Sequence, residues 1–253
     1  MPVKGIVWQV DNATAAIKGD WDKLGADTLL VQWSQVDNIS FLGGGGDPKS
    51  PIDWFDISQQ PWAKNVILGL AGRFSEPEAR ANVLELAEQS ARLARKKLPV
   101  NITGYYFPVE VDSSWHDAPQ LMPKALAQLP RPLWISVYEG HNIGAKEFAD
   151  WVASWLPPDV GIFFQDGVGV EVRSPAVARD YADALVKRLG KQRVRIIVEA
   201  FRPIGIRGFR PATADELLPQ IKVMRGYNIF IFDGPHYIKS ELIDELIKHN
   251  LLK

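Results

Sequence analysis

Eight short runs rich in Val, Ile, Leu and aromatic residues recur along the chain roughly 30 residues apart, about the length of one strand-plus-helix unit. They are Gly5 to Val10, Thr28 to Trp33, Asn65 to Leu70, Ile102 to Val109, Leu133 to Tyr138, Gly161 to Gln165, Val194 to Val198 and Asn228 to Phe232. The stretches between them carry apolar residues at helical spacing, most clearly at Pro77 to Lys97, Ala145 to Leu156, Pro175 to Leu189 and Thr213 to Met224. Ser174-Pro175 and Thr213 have the chemistry of helix starts, and Gly190 and Gly226 that of C-terminal caps. A strand and a helix repeated eight times in 253 residues predict an α/β fold, a single (β/α)8 barrel over residues 1–253. An open doubly wound sheet fits less well, because Val10-Asp-Asn-Ala-Thr14 follows the first strand where a dinucleotide would need a glycine-rich turn.

Charge and composition remove several function classes. With 29 basic and 30 acidic residues the net charge is -1, so no general field draws nucleic acid or anionic lipid. The densest basic run, Arg92 to Lys97, reads as the last turn of a helix, where cations suit the dipole. The absence of cysteine excludes disulfides, thiolate nucleophiles and thiolate metal sites. No apolar run approaches the ~20 residues that span a bilayer, so no membrane insertion is expected. The chain opens directly on a strand without a leader pattern. A periplasmic or secreted protein whose signal peptide has been removed is the expectation, with the cytoplasm also open.

The longest irregular piece, 36–62, holds four consecutive glycines at Gly43 to Gly46 and then Trp54, Phe55 and Trp62. It reads either as a functional loop over the barrel mouth or as an insertion packed down by its aromatics. No Lys-Ser or Lys-Thr follows the glycines, which argues against a phosphate cradle.

Barrels expose their chemistry at the C-terminal ends of the strands. There the chain places Asp11, Arg73, Glu110, Asp112, Glu139, Asp166, Glu199 and Asp233, with Gln9, Trp33, Trp115, Tyr138, Gln165, Phe201 and Tyr237 as amide and aromatic companions. An acidic, aromatic rim suits sugars, whose hydroxyls take carboxylates and amides while their C–H faces pack on flat rings. Each residue has a plainer reading. Glu199 has Arg195, Arg202 and Arg73 as candidate ion-pair partners, and Asp166 sits in an Asp-Gly turn that its own backbone amides can hold. Trp33, Trp115, Tyr138 and Tyr237 serve equally as packing residues. Asp112 is either a rival to Glu110 as the acid or a like charge that raises the Glu110 pKa. His116, His141, His236 and His249 are isolated, with no His-x-His and no His-Glu-x-x-His pattern; His236 is either a substrate contact or an ordinary loop residue. The loops after strands seven and eight offer Pro203 and Asp233 in place of the glycine-rich amides that hold phosphate in barrels.

Gly104-Tyr-Tyr-Phe-Pro-Val-Glu-Val-Asp112, Phe164-Gln-Asp-Gly-Val-Gly-Val170 and Val198-Glu-Ala-Phe201 resemble the signature segments of a glycosidase-related (β/α)8 family found at bacterial envelope and exopolysaccharide loci. The resemblance runs from Gly5-Ile-Val-Trp-Gln9 and Leu24-Gly-Ala-Asp-Thr28 through the eighth strand. It also extends to the retaining glycosidases with glutamates at strands four and seven, although Val109 stands where that clan carries Asn. The resemblance implies a glycoside hydrolase with Glu110 as acid/base and Glu199 as nucleophile, acting on a bacterial exopolysaccharide of the biofilm type. It implies no cofactor and no metal. It further implies association with polysaccharide export or synthesis machinery. Two other readings remain: a carbohydrate-binding barrel without hydrolysis, and a lyase or isomerase that uses the acidic rim to hold a hard metal ion.

Overall fold

The computed structural model describes residues 3–42, 52–206 and 208–249. All eight predicted strands form and close into a parallel barrel: β1 (Gly5–Trp8), β2 (Thr28–Val31), β3 (Asn65–Gly69), β4 (Ile102–Val111), β5 (Leu133–Val137), β6 (Val160–Gln165), β7 (Val194–Glu199) and β8 (Ile229–Phe232). Each pairs with its neighbours in the chain, and Gly5↔Phe230 and Ile6↔Ile231 join β1 to β8. Both faces of every strand are covered, which is why the runs read as continuously apolar rather than alternating.

One large side chain from each strand fills the interior: Val7, Leu30, Ile67, Tyr106, Trp134, Phe163, Ile197 and Phe230. Phe163 meets Phe230 edge to face at 4.9 Å and Tyr106 at 6.0 Å. Truncating such a ring to alanine costs about 3–5 kcal/mol. Gly161 makes room for the Trp134 indole, since a Cβ there would overlap the ring. Nearer the N-terminal ends of the strands, the Arg195 guanidinium lies 3.7 Å from the Trp134 ring centre and 5.6 Å from those of Phe163 and Phe230. Burial lowers its pKa to about 10.

The outer layer departs from strict βα alternation in its first quarter. After β1 there is only the 3-10 turn Trp21–Leu24, and after β2 a hairpin (Gln35–Val36 with Ile39–Ser40), the short helix Trp54–Ser58 and the turn Pro61–Ala63. The fully buried indoles of Trp21 and Trp62 meet edge to face at 4.9 Å and fill volume that a helix fills elsewhere. Trp54 is likewise anchored, its Nε1 donating to Phe41 O at 3.1 Å, whereas Phe55 is 66% exposed. The glycines Gly43 to Gly46 lie outside the described residues.

The helix expected over Pro77 to Lys97 is two helices, Glu76–Ala81 and Val83–Leu93. Asn82 breaks it, with φ -112° and ψ 22° and its Nδ2 donating to Glu78 O at 2.8 Å. Of the basic run at 92–97, Arg92 lies in the last turn and the rest follow the helix. The helices Ala145–Trp155, Pro175–Leu189 and Ala214–Val223 form close to the predicted bounds. Thr213 and Glu216 make a reciprocal capping box at the start of the last of these, and Gly190 and Gly226 adopt φ +92° and +99° at helix exits.

Candidate active site

A cavity of about 220 Å³ opens on the barrel axis at the C-terminal ends of the strands. Its floor is Val7, Tyr106 and Ile197; its walls carry Gln9, Gln32, Glu110, Ser136 and Gln165, with Pro108 and Phe232 as apolar surfaces. The period-two geometry of strands sets this lining. Gln9 and Gln32 continue the inward faces of Val7 and Leu30, and they stand side by side because Trp8 pairs with Val31. Tyr106 donates its hydroxyl to Ser136 Oγ at 2.8 Å, and burial first of all raises its pKa.

Glu110 lines the cavity beside an irregularity in β4. Phe107 pairs with Ile135 and Val111 with Val137, so four residues on β4 pass two on β5. Pro108, which has no N–H to give, lies in this bulge, and Tyr106, Pro108 and Glu110 share the inward parity that lines the cavity. Gln165 Nε2 donates to Glu110 Oε2 at 2.6 Å. Burial pushes the Glu110 carboxyl up; Gln165 and Arg80 oppose this, and the charge of Asp112 adds to it. Asp112 is engaged elsewhere: it accepts from Ser114 N at 2.6 Å and from Arg80 Nη2 at 2.6 Å. Burial alone would raise its pKa, but Ser114 and Arg80 together hold it below the ordinary range. Of the two acids at the end of β4, Glu110 is therefore the one disposed to keep a proton.

Glu199 ends β7 on the inward parity of Arg195 and Ile197, but it is only 3% exposed. The loop after β6 covers it. A Cβ on Gly169 would overlap Glu199 Cβ, and the Val170 amide donates to Oε2 at 3.2 Å. Burial and then the charge of Asp166 push Glu199 up, while the Val170 and Gly169 amides favour its anion. Both glutamates are thus displaced upward. No ion pair joins Glu199 to its candidate cations among the described residues: Arg195 lies deeper among aromatics, Arg202 donates to the Glu199 carbonyl at 3.4 Å, and Arg73 sits 4.0 Å from Glu85.

Several predicted rim residues are built into the scaffold instead. Asp166 leaves β6 on the outward side with Phe164 and accepts from Gln220 Nε2 (2.9 Å), Val168 N (3.2 Å) and Glu199 N (3.3 Å), so it positions the β7 end. Burial raises its pKa to about 6 against those bonds. Glu139 is fully buried, accepting from His141 N (2.6 Å), the Tyr181 hydroxyl (3.0 Å) and Arg173 Nη2 (3.2 Å). Asp233 is equally buried; it accepts from Gln9 N at 2.7 Å and from His236 N and Nδ1 at 2.9 Å each. His236 Nε2 meets Asp11 Oδ2 at 3.1 Å. Its Asp233 hydrogen bond outweighs burial, and with Asp11 the pair raises the imidazole pKa to about 9. Trp115 lies under the Arg80 guanidinium, 5.5 Å from ring centre to Cζ, away from the axial cavity. Phe201 and Tyr237 pack together at 5.4 Å beside Phe209 and Phe232.

Thus Gln9, Glu110 and Gln165 share the axial cavity, and half-buried Tyr138 feels the charges of Glu199, Glu110 and Glu139. Trp33 and Arg73 line an adjoining cavity, about 150 Å³, with Glu110 in its wall. Gln32, Tyr106, Ser136 and Phe74 escaped the sequence reading. Inward parity, extended one residue past each strand, is the signal that finds Gln32. Among the described residues no group of three or more His, Asp or Glu side chains stands together as a metal cage.

No known family model matches the chain, and no curated protein matches it in sequence. Solved structures do match in fold. One, assigned as an alpha-L-fucosidase of Bacteroides thetaiotaomicron, is 16% identical with a TM-score of 0.64, over 98% of this chain and 92% of that one. Another, a chitinase of Chromobacterium violaceum, is 12% identical with a TM-score of 0.55, over the whole of both chains. Both neighbours bear glycosidase names, and at these identities the likeness shows the fold.

Proposed function

We propose that this chain is a glycoside hydrolase that cleaves an oligosaccharide or polysaccharide by double displacement. The observation that carries the reading is Glu110. It is a carboxyl on the inward face of β4 in an amide-lined axial cavity, kept toward its protonated form by burial, and oriented by Gln165. Glu110 protonates the departing glycosidic oxygen as Glu199 bonds to the anomeric carbon. Glu110 then takes a proton from water, which attacks that carbon and frees the Glu199 carboxylate. Both ends of this cycle need an anionic Glu199; burial and the charge of Asp166 favour its protonated form, and the Val170 and Gly169 amides oppose them. Gln9, Gln32 and Gln165 offer amides to ring hydroxyls. The glycosidase names of the two structural neighbours support a glycoside as the substrate class. An exopolysaccharide as the particular substrate, and association with export or synthesis machinery, rest on the resemblance of the three signature segments.

One observation favours a second reading, sugar binding without hydrolysis: Glu199 is almost fully buried beneath the Gly169–Val170 backbone. A panel of polysaccharides and aryl glycosides separates the two. Hydrolysis predicts new reducing ends that disappear in Glu199→Gln, with the anomeric configuration of the first product retained by NMR. Binding with no reducing ends, the same in wild type and Glu199→Gln, would assign the binder.

A further inference from the structure

The axial cavity continues sideways. It shares Gln9, Gln32, Pro108 and Glu110 with the adjoining cavity of about 150 Å³, which in turn shares Gln9, Trp33 and Phe74 with a third of about 330 Å³ over the ends of β1 and β2. These shared walls make one groove from the barrel axis to the hairpin Gln35–Ser40, passing the Glu110 carboxyl.

The far part of the groove combines flat apolar surface with unmatched polar atoms. Phe74 is 74% exposed and lies 6.3 Å from Trp33, ring centre to ring centre, at a tilt of 59°. Asp37 Oδ1 accepts from the Phe74 amide at 3.4 Å and ties that segment to the hairpin. Trp33 is itself fixed, its Nε1 donating to Val10 O at 2.9 Å. Six buried side-chain N or O atoms lack a hydrogen-bond partner among the described residues; two of them, Asn12 Oδ1 and Gln32 Oε1, belong to residues that line this groove. Buried acceptors are normally satisfied, so a small rotation of either amide toward the groove would give it a sugar hydroxyl as donor. Neighbouring Asp11 is occupied by Thr14 and His236.

We infer that this side groove is a second sugar-binding subsite, which takes the adjacent ring of an oligosaccharide whose first ring occupies the axial cavity. Its platform is Phe74 beside Trp33, and Asn12 and Gln32 receive its hydroxyls. The inference rests on the carbohydrate reading of the axial cavity but not on hydrolysis there. It makes the substrate a chain laid across the mouth over β1 to β3, with the inter-ring bond beside Glu110.

The test is a length series: chito- and cello-oligosaccharides of one to five units titrated calorimetrically into Glu199→Gln protein, which holds its ligand uncleaved. Affinity is expected to rise roughly tenfold when the ring that reaches Phe74 is added. Phe74→Ala and Asn12→Ala should each remove most of that rise, and the exposed Phe55→Ala, which lines no part of the groove, should keep it. A rise unchanged in Phe74→Ala and Asn12→Ala, or no rise in any series, overturns the inference. Hydrolysis by wild type is scored separately. Its absence sinks the proposed reaction while a Phe74-dependent rise sustains the subsite; hydrolysis with a flat series does the reverse.

Discussion

Glu110 on one side of the barrel mouth and the acids on the other are treated in opposite ways. Over β5 to β7 the acids are sealed: Glu139 is saturated by Arg173, Tyr181 and the His141 amide, and Asp166 by Gln220 and two backbone amides. Over β1 to β4 the amides of Gln9 and Gln32 and the carboxyl of Glu110 line open cavities. An acid at a strand end therefore says little until the side from which it leaves the strand is known. Asp166 leaves outward and braces the scaffold, while Glu110 leaves inward and meets solvent-accessible space.

The open half is where substitution should remove activity with little loss of fold. Glu110→Gln is expected to lower the rate on an aryl glycoside by about 10²- to 10⁴-fold, the usual worth of a general acid, with an unchanged denaturation midpoint. A loss below threefold would break the comparison. In the sealed half the expectation inverts. Arg173→Met strands the Glu139 carboxylate in the interior and should cost about 3–5 kcal/mol in urea unfolding, and adding Glu139→Gln should recover part of that. Equal losses in the single and double variants would show that the ring contact of Arg173 with Tyr181, at 4.6 Å, matters more than the charge pair.

His236 joins the ends of β8 and β1 and gives the mouth a pH response. Its folded pKa of about 9 lies above the ordinary 6.5, so the stabilisation it supplies is complete below pH 6.5 and is lost as pH rises through about 9. The melting-temperature gap between wild type and His236→Gln should be constant up to pH 6.5 and close between there and about pH 9. A gap that widens with pH contradicts the bridge to Asp11 and Asp233. The smallest effect belongs to Thr213→Ala, which removes the cap of the helix that carries Gln220: about 1 kcal/mol of stability, with the rate on the same glycoside intact.

All eight strands were legible because a strand buried on both faces must be apolar along its length. Glu110, Gln9 and Gln165 were legible too, since each stands at or near the C-terminal end of a strand on the inward parity. Glu139 and Asp166 were not separable from them in the sequence, because the partners that bury them, Arg173 and Gln220, lie 34 and 54 residues away. Gln32 stands one residue past β2 on the inward parity of Leu30, so the signal was present there but unused. The eightfold strand-and-helix reading fails at the first two crossovers, where what replaces a helix is a pair of indoles brought together from residues 21 and 62.

The aromatic layer under the axial cavity, backed by Arg195, makes the barrel a cul-de-sac. A sugar ring that enters the axial cavity has one exit, the opening through which it came. A long glycan therefore cannot be threaded along the barrel axis and hauled through processively. The fragment held in the axial cavity would have to back out past Glu110, whereas the one in the side groove would leave directly from the mouth.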